Sequence, residues 1–83
     1  MISDDDVRAN IAANLRAIMD DRGWSQSELA RKTGQSDMMI SHIMRGTRNP
    51  SVARVAQIAE ALLIGMDRLV MPPPEQSPVE PGI

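Results

Sequence analysis

Apolar residues recur at helical spacing from Val7 to Val70. Val7, Ile11, Leu15, Ile18 and Met19 fall at i, i+4, i+8, i+11 and i+12, which is one stripe along one helix face. Ser3 to Asp6 supply a cap and first-turn acids that suit the positive end of the helix dipole, and Gly23 predicts an end at Arg22. A second stripe, Leu29, Ala30 and Thr33, marks a short helix over about residues 26–33. Ser25 and Glu28 before it have the spacing of a capping box, in which each side chain satisfies the other's free amide. Ser36 is the expected N-cap of a third helix over about residues 37–45, anchored by Ile40 and Ile43 and closed by Gly46. After the loop Thr47-Arg48-Asn49-Pro50, Ser51 caps a fourth helix with the stripe Val52, Val55, Ile58, Ala59 and Leu62. A last turn runs from Met66 to Val70, and no segment alternates as a strand would. The expected fold is all-α, a compact bundle of four helices plus a short fifth.

A chain of 83 residues has room for one core. Five of the six prolines lie in residues 72–83, where the missing amide hydrogens forbid a helix interior. The expected organisation is a domain at residues 1–71 and a flexible Pro-rich tail at 72–83 with polyproline character. With no Cys and one His there is no thiolate nucleophile and no convergent metal-ligand set. No Gly-rich phosphate loop or paired acids point to catalysis. We therefore expect no enzyme, no cofactor, no metal and no small-molecule ligand. No apolar run approaches the roughly 18 residues of a membrane span. The acidic start Met1-Ile2-Ser3-Asp4-Asp5-Asp6 does not resemble a signal peptide, so a cytoplasmic protein without a membrane partner is expected.

Nine Arg or Lys against eleven Asp or Glu give a net charge of −2, a weak argument against nucleic acid. The distribution changes that picture. Asp4, Asp5, Asp6, Asp20 and Asp21 crowd the first helix, whereas Arg31, Lys32, Arg45, Arg48 and Arg54 face only Asp37 between residues 31 and 54. A segregated basic segment is either a phosphate footprint or a solvated face. The second and third helices are joined by Thr33-Gly34-Gln35-Ser36, the short Gly-containing turn of a helix-turn-helix. Gly34 takes a positive φ without steric cost, and Ala30 is small where two helices cross. With Ile40 and Ile43 inward, Asp37, Met38, Ser41, His42 and Arg45 lie on the outer face. A polar outer face on so short a helix suits a major groove.

The stretch Trp24-Ser25-Gln26-Ser27-Glu28-Leu29-Ala30-Arg31-Lys32-Thr33-Gly34, continuing through Ile40-Ser41, Arg45-Gly46 and Asn49-Pro50-Ser51, resembles the lambda-repressor-like, Cro or XRE type of helix-turn-helix. The likeness extends through Ile58-Ala59-Glu60-Ala61-Leu62 to Met66-Asp67-Arg68-Leu69 and covers roughly residues 11–70. It implies a five-helix domain that binds double-stranded DNA as a homodimer on a near-palindromic operator and regulates transcription, as a phage-type or bacterial repressor. Carried over by position, Asp37, Met38 and His42 would touch base edges. Ser25, Gln26, Gln35, Ser36, Ser41, Arg45, Thr47, Arg48 and Asn49 would meet phosphate or brace the reading helix. Phosphate contacts position a protein, and base contacts give it sequence choice.

Each reading has a plainer rival. Asp37 accepts from cytosine N4 or adenine N6, or it caps the third helix and touches nothing. His42 meets a base or phosphate, or is an inert surface His. Met38 packs on a thymine methyl, or is exposed without a role. Trp24, just before a cap, is expected as a hydrophobic staple or a core residue. Two departures from the family pattern stand out. Met19 and Met44 replace an Arg and a Glu that commonly pair, so a Met19–Met44 core contact is expected, an exchange that leaves no charge alone, with each Met filling a separate gap as the alternative. Leu63 follows the fourth helix where Gly is common, so that helix is expected to run longer or turn differently. Leu63, Ile64, Val70 and Met71 are the expected dimer seam, with plain core as the alternative. An antitoxin or restriction-modification controller of the same fold is a second reading. A protein-interaction module with the tail as a Pro-rich ligand is a third, and a fragment whose tail leads to a missing domain is a fourth.

Overall fold

Four serines begin the four long helices, each accepting a hydrogen bond from the amide three residues on. Ser3 Oγ takes the Asp6 amide at 3.2 Å, Ser25 that of Glu28 at 3.1 Å, Ser36 that of Met39 at 3.0 Å and Ser51 that of Arg54 at 3.1 Å. Each bond satisfies one of the amides a helix start leaves without an internal partner. The computed structural model describes residues 3–73, and the Pro-rich tail from residue 74 lies outside the described residues. The helices are α1 (Asp4–Arg22), α2 (Gln26–Thr33), α3 (Asp37–Met44), α4 (Val52–Leu62) and α5 (Asp67–Val70), with no strand among the described residues. The reciprocal capping box forms at α1, where the Ser3 amide reaches the Asp6 carboxylate. It does not form at α2 as expected, because the Glu28 carboxylate turns to Arg31 and Lys32 on its own helix.

The four long helices also end alike. Gly23, Gly34, Gly46 and Leu63 all take the left-handed conformation, with φ of 69°, 72°, 70° and 62°. The next amide then reaches back to close the turn: Trp24 to Met19 at 2.9 Å, Gln35 to Ala30 at 3.0 Å, Thr47 to His42 at 3.1 Å and Ile64 to Ala59 at 3.0 Å. So α4 stops at Leu62 and does not run on. Its stop has the geometry of the glycine stops, with a side chain on the residue that turns.

Helix α1 packs against α3 and α5, α2 against α3 and α4, and α4 against α5. The core between them is Ile11, Leu15, Ile18, Leu29, Ile40, Ile43, Met44, Val55, Ile58, Leu62 and Leu69 with Ala30 and Ala59. One expected stripe residue is misplaced: Val52, in the first turn of α4, is 74% exposed, whereas Val55 in the same stripe is buried. Met44 is buried, and Met19 and Trp24 pack half-buried against the same cluster. Two cations cover the Trp24 ring, Arg22 at 5.1 Å and Lys32 at 5.5 Å from its centroid. Side-chain amides fasten α5. Asn14 donates to the carbonyls of Leu69 at 2.8 Å and Met71 at 2.7 Å, and Asn10 to that of Val70 at 2.9 Å.

Candidate nucleic-acid interface

Ile40, Ile43 and Met44 anchor α3 from beneath, at 0%, 1% and 6% exposure. Their spacing turns the opposite side outward. Asp37, Met38 and Arg45 are exposed there, and Ser41 and His42 are half-buried beside them. Met38, at 71% exposure, is a large apolar side chain with no intramolecular reason to be in water. Ser36 supplies the cap of α3, so Asp37 is the first helical residue and is not needed as the cap. Its carboxylate still favours the positive end of the helix dipole.

The flanks of α3 carry most of the remaining candidates. Ser25 and Gln26 are exposed at the start of α2, where unpaired backbone amides suit an anion. The hydroxyls of Ser25 and Ser36 are already engaged in capping. Thr47, Arg48 and Asn49 are exposed on the loop after α3. Among the described residues, neither Arg45 nor Arg48 forms a salt bridge, whereas Arg31 and Lys32 share Glu28. Of the five bases counted between residues 31 and 54, Arg45 and Arg48 are therefore the two exposed with their charge uncompensated.

Gln35 is held in place instead of hanging free. Its carbonyl oxygen accepts from the Arg54 guanidinium, and its amide nitrogen lies 3.3 Å from the Thr33 carbonyl and 3.4 Å from Gln57 Oε1. This links the turn before α3 to α4, and it was not visible in the sequence, where Arg54 counted only as one charge among five. Arg16 lies on the acid-rich α1 and carries no sequence signal for a role. Its guanidinium donates to the Met44 carbonyl at 3.4 Å, placing a positive charge at the negative end of α3. Arg16 and Arg8 flank an open groove of about 500 Å³ that reaches Arg45 and Gly46.

His42 and Thr47 are joined side chain to side chain, with 3.4 Å between Nδ1 and Oγ1. The Thr47 hydroxyl also donates to the His42 carbonyl at 3.2 Å. The four seam candidates do not form one class. Leu63 and Met71 are exposed, at 90% and 48%, while Ile64 and Val70 pack half-buried on the protein's own core. No group of three or more His, Cys, Asp or Glu side chains is placed to hold a metal among the described residues. No described helix is long and apolar enough to cross a membrane.

The sequence profile of the helix-turn-helix family matches residues 15–69. The chain is similar to a Neisseria hypothetical transcription factor from Neisseria meningitidis serogroup B, with 35% identity over 71 residues, 86% of this chain and 67% of that protein. It is also similar to the HTH-type transcriptional regulator SutR of Escherichia coli K12, with 34% identity over 68 residues. That match takes in 82% of this chain but 38% of SutR, so the region compared is a minor part of that regulator. Among solved structures, the Neisseria hypothetical transcription factor NHTF superposes with a TM-score of 0.77 at 34% identity, covering 89% of this chain and 85% of the other.

Proposed function

This chain belongs to the helix-turn-helix family of DNA-binding transcriptional regulators, and from that premise we propose that it is a repressor of phage or bacterial type. It binds a near-palindromic operator as a homodimer. The two α3 helices enter successive major grooves about 34 Å apart and occlude polymerase or an activator. The observation that carries this reading is the two-sidedness of α3: isoleucines buried to within 1% of completely, and Asp37, Met38 and Arg45 outward.

In this reading Asp37, Met38 and His42 meet base edges. Arg45, Arg48, Asn49, Thr47 and the amides at Ser25–Gln26 meet phosphate, while Gln35 braces α3 through Arg54. The acids of α1 lie on a different helix from the reading face. The exposed apolar side chains Leu63, Met66 and Met71 near α5 support a dimer seam there. The working compartment is the cytoplasm, where the DNA is.

Selection of bound duplexes from random DNA, followed by titration at two salt concentrations, tests the proposal. The expected result is an inverted repeat with half-sites one helical turn apart and an affinity that falls steeply with salt. Absent or salt-insensitive binding beside a tight protein partner would favour the interaction-module reading instead.

A further inference from the structure

The reading above makes His42 a base contact; the hydrogen bonds around it also fix which kind of base it can read. The Thr47 hydroxyl has one hydrogen and two lone pairs. Its shorter contact, 3.2 Å, is to the His42 carbonyl, which can only accept. That carbonyl takes the Thr47 amide as well, at 3.1 Å, using both of its lone pairs. With its hydrogen on the carbonyl, the hydroxyl meets His42 Nδ1 at 3.4 Å as an acceptor. That contact is then a hydrogen bond only with the hydrogen on Nδ1, and in a neutral imidazole of this form the other ring nitrogen, Nε2, carries a lone pair.

We propose that Thr47 is a positioning residue that holds neutral His42 in its Nδ1–H form, making Nε2 an acceptor that selects an exocyclic amine in the major groove. The amines available there are adenine N6 and cytosine N4, whereas guanine and thymine show acceptors at the corresponding edges. Asp37, the other polar residue assigned to base edges, is an acceptor too when ionised, so both would ask for the same kind of edge. The face would therefore disfavour guanine and thymine opposite His42. The loop after α3, which the family reading assigns to phosphate, would also act on sequence choice through Thr47.

The inference rests on the DNA-binding reading for its second half only, and the test separates the two. His42 is the only histidine, so nitrogen-15 spectra of the full chain at a pH where the ring is neutral report its tautomer without ambiguity. The wild type and Thr47→Ser should show Nδ1 protonated, and Thr47→Val should move the population towards Nε2–H. At the base pair whose preference His42→Ala erases in selections from random DNA, replacing the amine-bearing base by its analogue without the amine, purine for adenine or 2-pyrimidinone for cytosine, should weaken wild-type binding by roughly three- to tenfold and leave binding by His42→Ala unchanged. Thr47→Val should flatten that preference and Thr47→Ser restore it. An Nε2–H ring in the wild type, a tautomer indifferent to Thr47→Val, or wild-type binding indifferent to loss of the exocyclic amine at that base pair would each overturn the proposal. An Nδ1–H ring in a protein that binds no DNA would uphold the hydrogen bond and overturn the base assignment together with the reading it rests on.

Discussion

The side-chain amide of Asn14 donates to the backbone carbonyl of Leu69 at 2.8 Å, across 55 residues of chain. Its second hydrogen goes to the Met71 carbonyl, so one buried amide closes off the end of α5. A four-residue helix cannot satisfy its own last carbonyls, and burial of Leu69 removes water as the substitute. Asn14→Ala should destabilise the fold by about 2–4 kcal/mol, from two lost bonds and carbonyls left without partners. Asn10→Ala, with one bond at a half-buried site, should cost about 1 kcal/mol. Urea unfolding of both variants with an unchanged m-value checks the order. Equal, small losses would mean that apolar packing alone holds α5.

Leu63 turns the chain at φ 62° with its side chain 90% exposed. A Cβ in the left-handed region costs roughly 1 kcal/mol or more, and the exposed side chain recovers little of it by burial. Leu63→Gly should therefore stabilise the monomer by about 0.5–1 kcal/mol, the gain reduced by the looser unfolded chain. The same variant should weaken self-association if Leu63 is part of the dimer seam. Thermal melts at low concentration and sedimentation at high concentration read the two effects separately.

Ser36 caps the reading helix and also sits beside the proposed DNA surface. Ser36→Ala should cost about 1 kcal/mol of stability through the lost bond to the Met39 amide. Ser36→Asp keeps an N-cap acceptor and a favourable charge at the helix start, so stability should hold. Its carboxylate would repel phosphate, and DNA affinity should fall by tenfold or more, on the order of 1–2 kcal/mol. Melting curves and gel-shift titrations of the pair distinguish the cap from the contact.

Arg48 is exposed on the loop after α3 with no salt bridge among the described residues. Arg48→Ala should weaken all DNA sequences alike and reduce the slope of log affinity against log salt by about one per protomer contact. Its melting temperature should be unchanged. A change in the selected site would move Arg48 from phosphate to base recognition.

Helix positions could be read from the chain because their signals are local. Ser36 and the Met39 amide are three residues apart, as are Ser51 and the Arg54 amide, and a glycine follows the ends of α1 and α2 directly. The inward isoleucines of α3 were legible for the same reason, since a period of 3.6 residues sorts faces without knowledge of what lies opposite. The outward set Asp37, Met38 and Arg45 then followed by exclusion. Val52 escaped this logic: a stripe gives the direction of a face but not how far the core extends beneath it.

What the amino-acid order determined by itself was four helix starts, the helical stripes and the side of α3 left for a partner. What only the tertiary structure decided was which polar groups meet across the bundle. Asn14 with Leu69, Arg54 with Gln35, and Glu28 preferring Arg31 to its own cap all depend on where side chains come to rest once the helices have packed. A cap is fixed by covalent geometry over three residues. A bond across 19 or 55 residues depends on the relative placement of two rods, which is set by the summed packing of the whole core and by no single residue along the chain.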